Sequence, residues 1–153
     1  SPWPTGMQII AGNSAGIAGQ TGITVPVSIS GNTKDGFISC YIVLKYDSAR
    51  LTLTGVNSNG SIIDSWDIPV YNTAANEVRI GLYGATAVTA SGTLVNLVFD
   101  VKPAAYSGNA ALDLTLGSVN EGALRAALVD GVINVTGGQE DGPLGRESEG
   151  GLQ

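Results

Sequence analysis

Histidine is absent from the 153 residues, and cysteine occurs once, at Cys40. Without histidine the chain lacks the commonest general base. It can build neither a Ser-His-Asp nor a Cys-His nucleophile, nor a zinc site of the Cys/His kind. A lone cysteine cannot close an internal disulfide. Charge is sparse as well: Lys and Arg number 7 against 13 Asp and Glu, for a net charge of −6. No basic patch interrupts the sequence, so the electrostatic footprint of nucleic-acid binding is missing. No run approaches the roughly 20 apolar residues of a membrane-spanning helix, and membrane insertion is not expected. Glycine-rich phosphate loops and the D-x-[DN]-x-[DN]-G calcium loop are absent too. Outside the stretch 137–153, Asp64 and Asp67 are the closest carboxylates, but odd spacing on a strand would point them to opposite faces. An acid/base pair for glycoside hydrolysis is therefore not expected, and neither is any other catalytic set. Ser1-Pro2-Trp3-Pro4 has neither the charged nor the apolar region of a signal peptide, so these residues do not encode a compartment.

What is present is strand-forming sequence. ITVPVSIS, YIVLKY, LVNLVFDV and GVINVT recur with Gly, Asn, Asp or Ser between them, and glycine reaches 22 residues. Short apolar runs at fairly regular spacing indicate an all-β sandwich or barrel. The pattern predicts strands at 7–11, 23–30, 37–46, 51–57, 62–66, 77–83, 92–102, 110–116, 124–129 and 131–136. Turn residues separate them, among them Gly31-Asn32, the segment 57–60, the segment 72–76 and Asp130-Gly131. Pro26 falls inside a strand pattern and should sit at an edge or bulge, because it has no N–H to donate. The folded domain is expected over 5–136. From Gly137 the apolar alternation stops, and Leu144 and Leu152 are the only sizeable hydrophobes. Residues 137–153 are expected to be a linker or tail.

The segment 37–46 is the clearest strand. Ile38, Cys40, Ile42, Leu44 and Tyr46 alternate with Ser39, Tyr41, Val43 and Lys45, a period of two with one face on a core. The same parity turns Val78, Ile80 and Leu82 inward and leaves Arg79, Gly81 and Tyr83 outward. The opposite register would bury an unpaired Arg79, which is costly. Leu94, Leu97, Phe99 and Val101 complete the expected core. Leu94 and Leu97 have opposite parity, which predicts a bulge near Val95-Asn96 or burial on both faces. Tyr41 and Tyr83 on one face suggest a binding surface.

Four stretches, in order, resemble the cohesin family. GNSAGIAGQTGITVPVSISG resembles its opening strands, SCYIVLKYDSARLTLTGV its third-to-fourth strand passage, GTLVNLVFDVKP its sixth strand and LVDGVINV its terminal hairpin. Together they cover nearly all of 7–136. The resemblance implies a nine-stranded sandwich with jelly-roll topology and no catalytic activity. It implies a protein partner, the dockerin module, held on the face of the third, fifth, sixth and eighth strands. Calcium is implied for the dockerin and no cofactor for this chain. A secreted or cell-surface scaffold protein is the implied setting. Carried onto this sequence, the contact positions are Ser39, Tyr41 and Val43, then Arg79, Gly81 and Tyr83, with Glu121 and Arg125 near the last. Ser39 and Tyr41 stand where cellulosomal members present Asn and Asp, and the segment 84–91 is uncharged where theirs is acidic. Those departures suit a divergent, non-cellulosomal member. Two other readings remain open: a carbohydrate-binding module, stacking polysaccharide on Tyr41, Tyr83 or Trp66, and a structural spacer.

Overall fold

The computed structural model describes residues 6–31 and 34–138. Among them are twelve strands and no helix. These are β1 (Gln8–Ala11), β2 (Ser14–Ile17), β3 (Ile23–Ser30), β4 (Phe37–Tyr46), β5 (Leu51–Asn57) and β6 (Val70–Ala74), followed by β7 (Glu77–Val88), β8 (Gly92–Val101), β9 (Gly108–Val119), β10 (Leu124–Arg125), β11 (Ala127–Val129) and β12 (Gly131–Thr136). One sheet runs β11-β1-β3-β8-β5. The other runs β2-β12-β9-β4-β7-β6, with β10 added beside β9. Alternation on each strand turns one set of apolar side chains into the space between the sheets. β3 buries Ile23, Val25, Val27 and Ile29, while β4 buries Cys40, Ile42 and Leu44 opposite Leu82, Ile80 and Val78 of β7. Phe99 of β8 packs edge-on against Tyr46, their ring centroids 5.4 Å apart. All the expected core positions except Ile38 are buried.

The mixed parity of β8 resolves as a bulge. Val27 pairs with Val95 but Ser28 with Thr93, so Leu94 is an extra residue, and both Leu94 and Val95 are buried. Pro26 lies beside this irregularity on a strand flanked by β1 and β8. Its carbonyl accepts from Gly12, one residue past the last β1–β3 pair, so its missing N–H interrupts no ladder there.

Several expected boundaries need correction. Residues 62–66 form turns, with Trp66 folded inward. Its ring meets Phe37 edge-on at 5.5 Å, and its Nε1–H donates to the Thr86 carbonyl at 3.1 Å. It also lies against the Gly84 backbone so closely that a Cβ there would come within 2.3 Å of the ring. Residues 84–91 are not simply a loop, because β7 runs on to Val88. The expected turn at 72–76 is mostly β6, closed onto β7 by Ala75-Asn76. The strand expected at 124–129 is split at Ala126 between the two sheets. β2 was not expected at all. Gly137 is still tied to the domain, donating to Ser107 Oγ at 2.8 Å; the remainder of the expected tail, from 139, lies outside the described residues.

Candidate functional site

The outer face of the seven-stranded sheet is built in rows by cross-strand register. Across β4 and β7, Ser39 stands opposite Tyr83, Tyr41 opposite Gly81, Val43 opposite Arg79 and Lys45 opposite Glu77. On the other side of β4, Tyr41 pairs with Ser118 and Val43 with Leu116 of β9. Arg125 of β10 pairs with Ser118, and Val70 of β6 pairs with Gly81. Arg125, Ser118, Tyr41, Gly81 and Val70 thus form one row across five strands. Six of the eight sequence candidates make a block on β4 and β7, and Arg125 extends one of its rows. Glu121 lies in the turn after β9, at the end of the block marked by Ser39 and Tyr83.

The block is not uniformly exposed. Val43 was expected outward and does face outward, yet it is only 6% exposed between Leu116 and Arg79. Leu116 reaches that position because of a bulge: Val43 pairs with Leu116 but Leu44 with Leu114, which leaves Thr115 unpaired in the register. Gly81 is buried under Tyr83. A Cβ there would meet the Tyr83 ring at 2.9 Å, so glycine is what lets the ring lie along its own strand. Tyr83 remains 49% exposed. Ser39 is 7% exposed, and its Oγ has no hydrogen-bond partner among the described residues. An unpaired buried hydroxyl costs roughly 1–3 kcal/mol.

The lower half of the face is charged. Arg79 Nε donates to Glu77 Oε2 at 2.7 Å. Glu77 first, then the Tyr41 side chain, hold the Arg79 guanidinium above its ordinary pKa. The upper half is apolar and concave. A depression of about 480 Å³ opens beside Ser39, walled by Ile38, Tyr83 and Ala87 and rimmed by Asp35, Asn120 and Glu121. Ile38, expected in the core, is 49% exposed here. An irregularity between Phe37 and Ser39 reverses the parity at the start of β4, so Phe37 takes the inward place. Asn120 Oδ1 accepts from the Ile38 amide at 2.9 Å, and the Asn120 amide donates to the Ser39 carbonyl at 3.0 Å. These bonds hold the 120–121 turn against β4.

Sequence reasoning missed Val70, Leu116, Ser118, Ile38 and Asn120. The β-branched and aromatic pair Val70-Tyr71, followed by a two-residue Ala75-Asn76 turn, was a hairpin signal for β6. The parity reversals at Thr115 and Ile38 leave no comparable mark. Trp66, a stacking candidate, is 8% exposed and belongs to the core. Among the described residues no group of three or more Asp, Glu, Cys or His is placed to hold a metal ion.

A filled sandwich with one broad, structured outer face defines the class: a β-sandwich with an open sheet surface. The chain belongs to the cohesin family, whose cohesin-domain family model matches residues 7–135. Among solved structures it is similar to the sixth cohesin of Acetivibrio cellulolyticus scaffoldin B, solved in complex with a Cel5 dockerin mutant. That match has 19% identity and a TM-score of 0.74, over 86% of this chain and 99% of the other. It is similar to the cohesin of a type I Coh-OlpA-Doc918 cohesin–dockerin complex from Clostridium thermocellum, at 20% identity and TM-score 0.72, over 84% and 98%. A non-cellulosomal cohesin from the archaeon Archaeoglobus fulgidus aligns at 24% identity and TM-score 0.69, over 85% and 91%. Comparison with curated protein sequences returned no match.

Proposed function

We propose that this chain is a non-catalytic module that captures a dockerin-bearing protein on the outer face of β9, β4, β7 and β6. The observation that carries the reading is the cohesin family match over 7–135, joined to an outward block that presents Tyr41, Tyr83 and Arg79 together. Tyr and Arg are residue types that concentrate interface energy. A helical partner laid on this face would meet an apolar upper half and a charged lower half. Ser39, Tyr41, Val43, Gly81, Glu121 and Arg125 complete the proposed contact set. Calcium belongs to the partner, and the module works in a secreted or cell-surface scaffold.

Calorimetric titration with a panel of calcium-loaded dockerin modules tests the reading. Saturable binding that disappears on adding EDTA is expected, with no change in the melting temperature of this domain. Binding that persists after calcium removal would contradict it. The flat, exposed Tyr83 ring favours one competing use, stacking on a sugar ring. Retention on insoluble polysaccharide, lost in Tyr83→Ala, with no dockerin captured, would replace the protein-binding reading by that one.

A further inference from the structure

The depression beside Ser39 has a chemistry that the rest of the face lacks. Asp35 and Glu121 stand on its rim, and no lysine or arginine lines it. Neither carboxylate takes part in an ion pair among the described residues. Tyr83 supplies an aromatic wall, half of it open to solvent. In the lining, Ser39 is more than nine-tenths buried and its hydroxyl has no hydrogen-bond partner among the described residues. A polar group left unpaired in an otherwise satisfied sheet marks a place where a partner atom is missing. Two carboxylates, a hydroxyl acceptor and a ring face are the complement of an organic cation. The carboxylates supply charge, the hydroxyl accepts one N–H, and the ring attracts the cation through its quadrupole. Ile38 and Ala87 offer apolar surface to an alkyl stem.

We propose that this depression is a socket for a cationic side chain of the docked protein, with Asp35, Glu121, Ser39 and Tyr83 as its recognition groups. The inference rests on the docking reading for the source of the cation, but not for the chemistry of the socket. It assigns the partner a lysine or arginine that projects toward the Ser39 end of the sheet, away from Arg79 and Lys45, whose positive charge would repel it. The glutamate row at the other end is already committed, since Glu77 holds Arg79. Asp113, at that same lower end, stands opposite Lys45, so the upper end is where carboxylates face an incoming cation with no lysine or arginine in the lining.

The socket can be tested without a known partner. The full ¹⁵N-labelled chain is titrated with butylammonium chloride and, separately, with sodium butyrate and calcium chloride, while amide shifts are followed by NMR. Butylammonium should shift Ser39, Tyr83 and Asn120 saturably, and butyrate should not. The Asp35→Asn/Glu121→Gln double variant should weaken butylammonium by about tenfold or more. Ser39→Ala should also bind more weakly, yet melt no lower than the parent, because it removes an unsatisfied buried hydroxyl. That opposition of signs is one that a purely structural serine would not give. Absence of a saturable shift, equal shifts from butyrate, or parental affinity in the double variant would overturn the proposal. So would a stronger response of the same amides to calcium, which would make the site a metal site. The two readings fail separately. Butylammonium binding without any dockerin capture keeps the socket and removes the docking reading. Dockerin capture undiminished in the double variant does the reverse.

Discussion

On the inner face of β4 and β7, Cys40, Ile42 and Leu44 meet Leu82, Ile80 and Val78 as three buried apolar pairs. On the outer face of the same two strands, Ser39, Tyr41 and Val43 meet Tyr83, Gly81 and Arg79. The inner pairs differ little in chemistry, and their positions follow from parity alone. The outer pairs are each different: a hydroxyl without a partner among the described residues beside Tyr83, a tyrosine opposite the glycine that makes room for the Tyr83 ring, and a valine sheltered by an arginine. One face is held by volume and exclusion of water, which tolerates approximate solutions. The other is a set of particular groups at particular heights, and there a single methyl matters. Stability and recognition are thus assigned to alternate residues of the same strands. A substitution should move one property and leave the other nearly still.

The largest expected effect tests the inner face. Leu44→Ala removes a fully buried side chain and should cost about 2–5 kcal/mol of unfolding free energy. Chemical denaturation measures it. Dockerin affinity of the folded fraction should be unchanged, and a parallel loss of affinity would break the separation between faces. On the outer face the reverse is expected. Tyr41→Ala and Tyr83→Ala should weaken dockerin binding by about 1–4 kcal/mol where either is a hot spot, with the melting temperature nearly constant. Gly81→Ala belongs with them, because its Cβ would lift the Tyr83 ring rather than disturb the core. Unaltered affinity in all three would move the interface off this block.

Parity explains why so much of the inner face was legible in the sequence. Apart from Ile38, every core position expected on β4, β7 and β8 is buried, because an alternating pattern admits one register once Arg79 must stay outside. The outer face was legible only where it shares that register. Tyr41, Arg79 and Tyr83 follow from it, and Arg125 joins their rows through β9 and β10. Leu116 and Ile38 do not, because each follows an irregularity that reverses parity, and a bulge is a tertiary accommodation with no fixed residue signature. The burial of Val43 and Ser39 was likewise invisible, since it depends on neighbours that are distant in sequence. Ile62 to Trp66 reads as a strand by composition, but its tryptophan is used to close the end of the sandwich against Phe37 and Gly84.

Cys40 gives a smaller effect that separates the faces by pH. Burial pushes its thiol from 9.0 up to about 12. Between those values the unfolded chain has released the proton and the folded chain retains it. A pKa raised on folding means that the contribution is fully present below 9.0 and is lost as pH rises toward 12. The slope is about 1.4 kcal/mol per pH unit for one group. Alkaline denaturation should therefore be shallower in Cys40→Ala than in the parent, whatever cavity cost displaces the two curves. The native thiol should also resist alkylating reagents. Rapid labelling would place Cys40 on the outer face and shift the whole strand by one residue.

The smallest expected effect sharpens the edge of the outer face. Ala75 and Asn76 are the two residues joining β6 to β7, between the pair Ala74 and Glu77. Ala75 has φ of +55°, in the left-handed region where a Cβ crowds the backbone. Glycine would relieve that strain but would lose more entropy on folding. The net gain for Ala75→Gly is expected to be about 0.5–1 kcal/mol. It should appear as a higher denaturation midpoint with an unchanged slope. β6 carries Val70 and Asn72 onto the outer face through this turn, but Ala75 itself lies outside the β6–β7 register and faces none of the proposed contact residues as a cross-strand partner. Dockerin affinity should accordingly stay constant while stability rises. An affinity that rises with stability would instead mean that the β6 edge opens in the free domain, and that part of the binding free energy is used to order it.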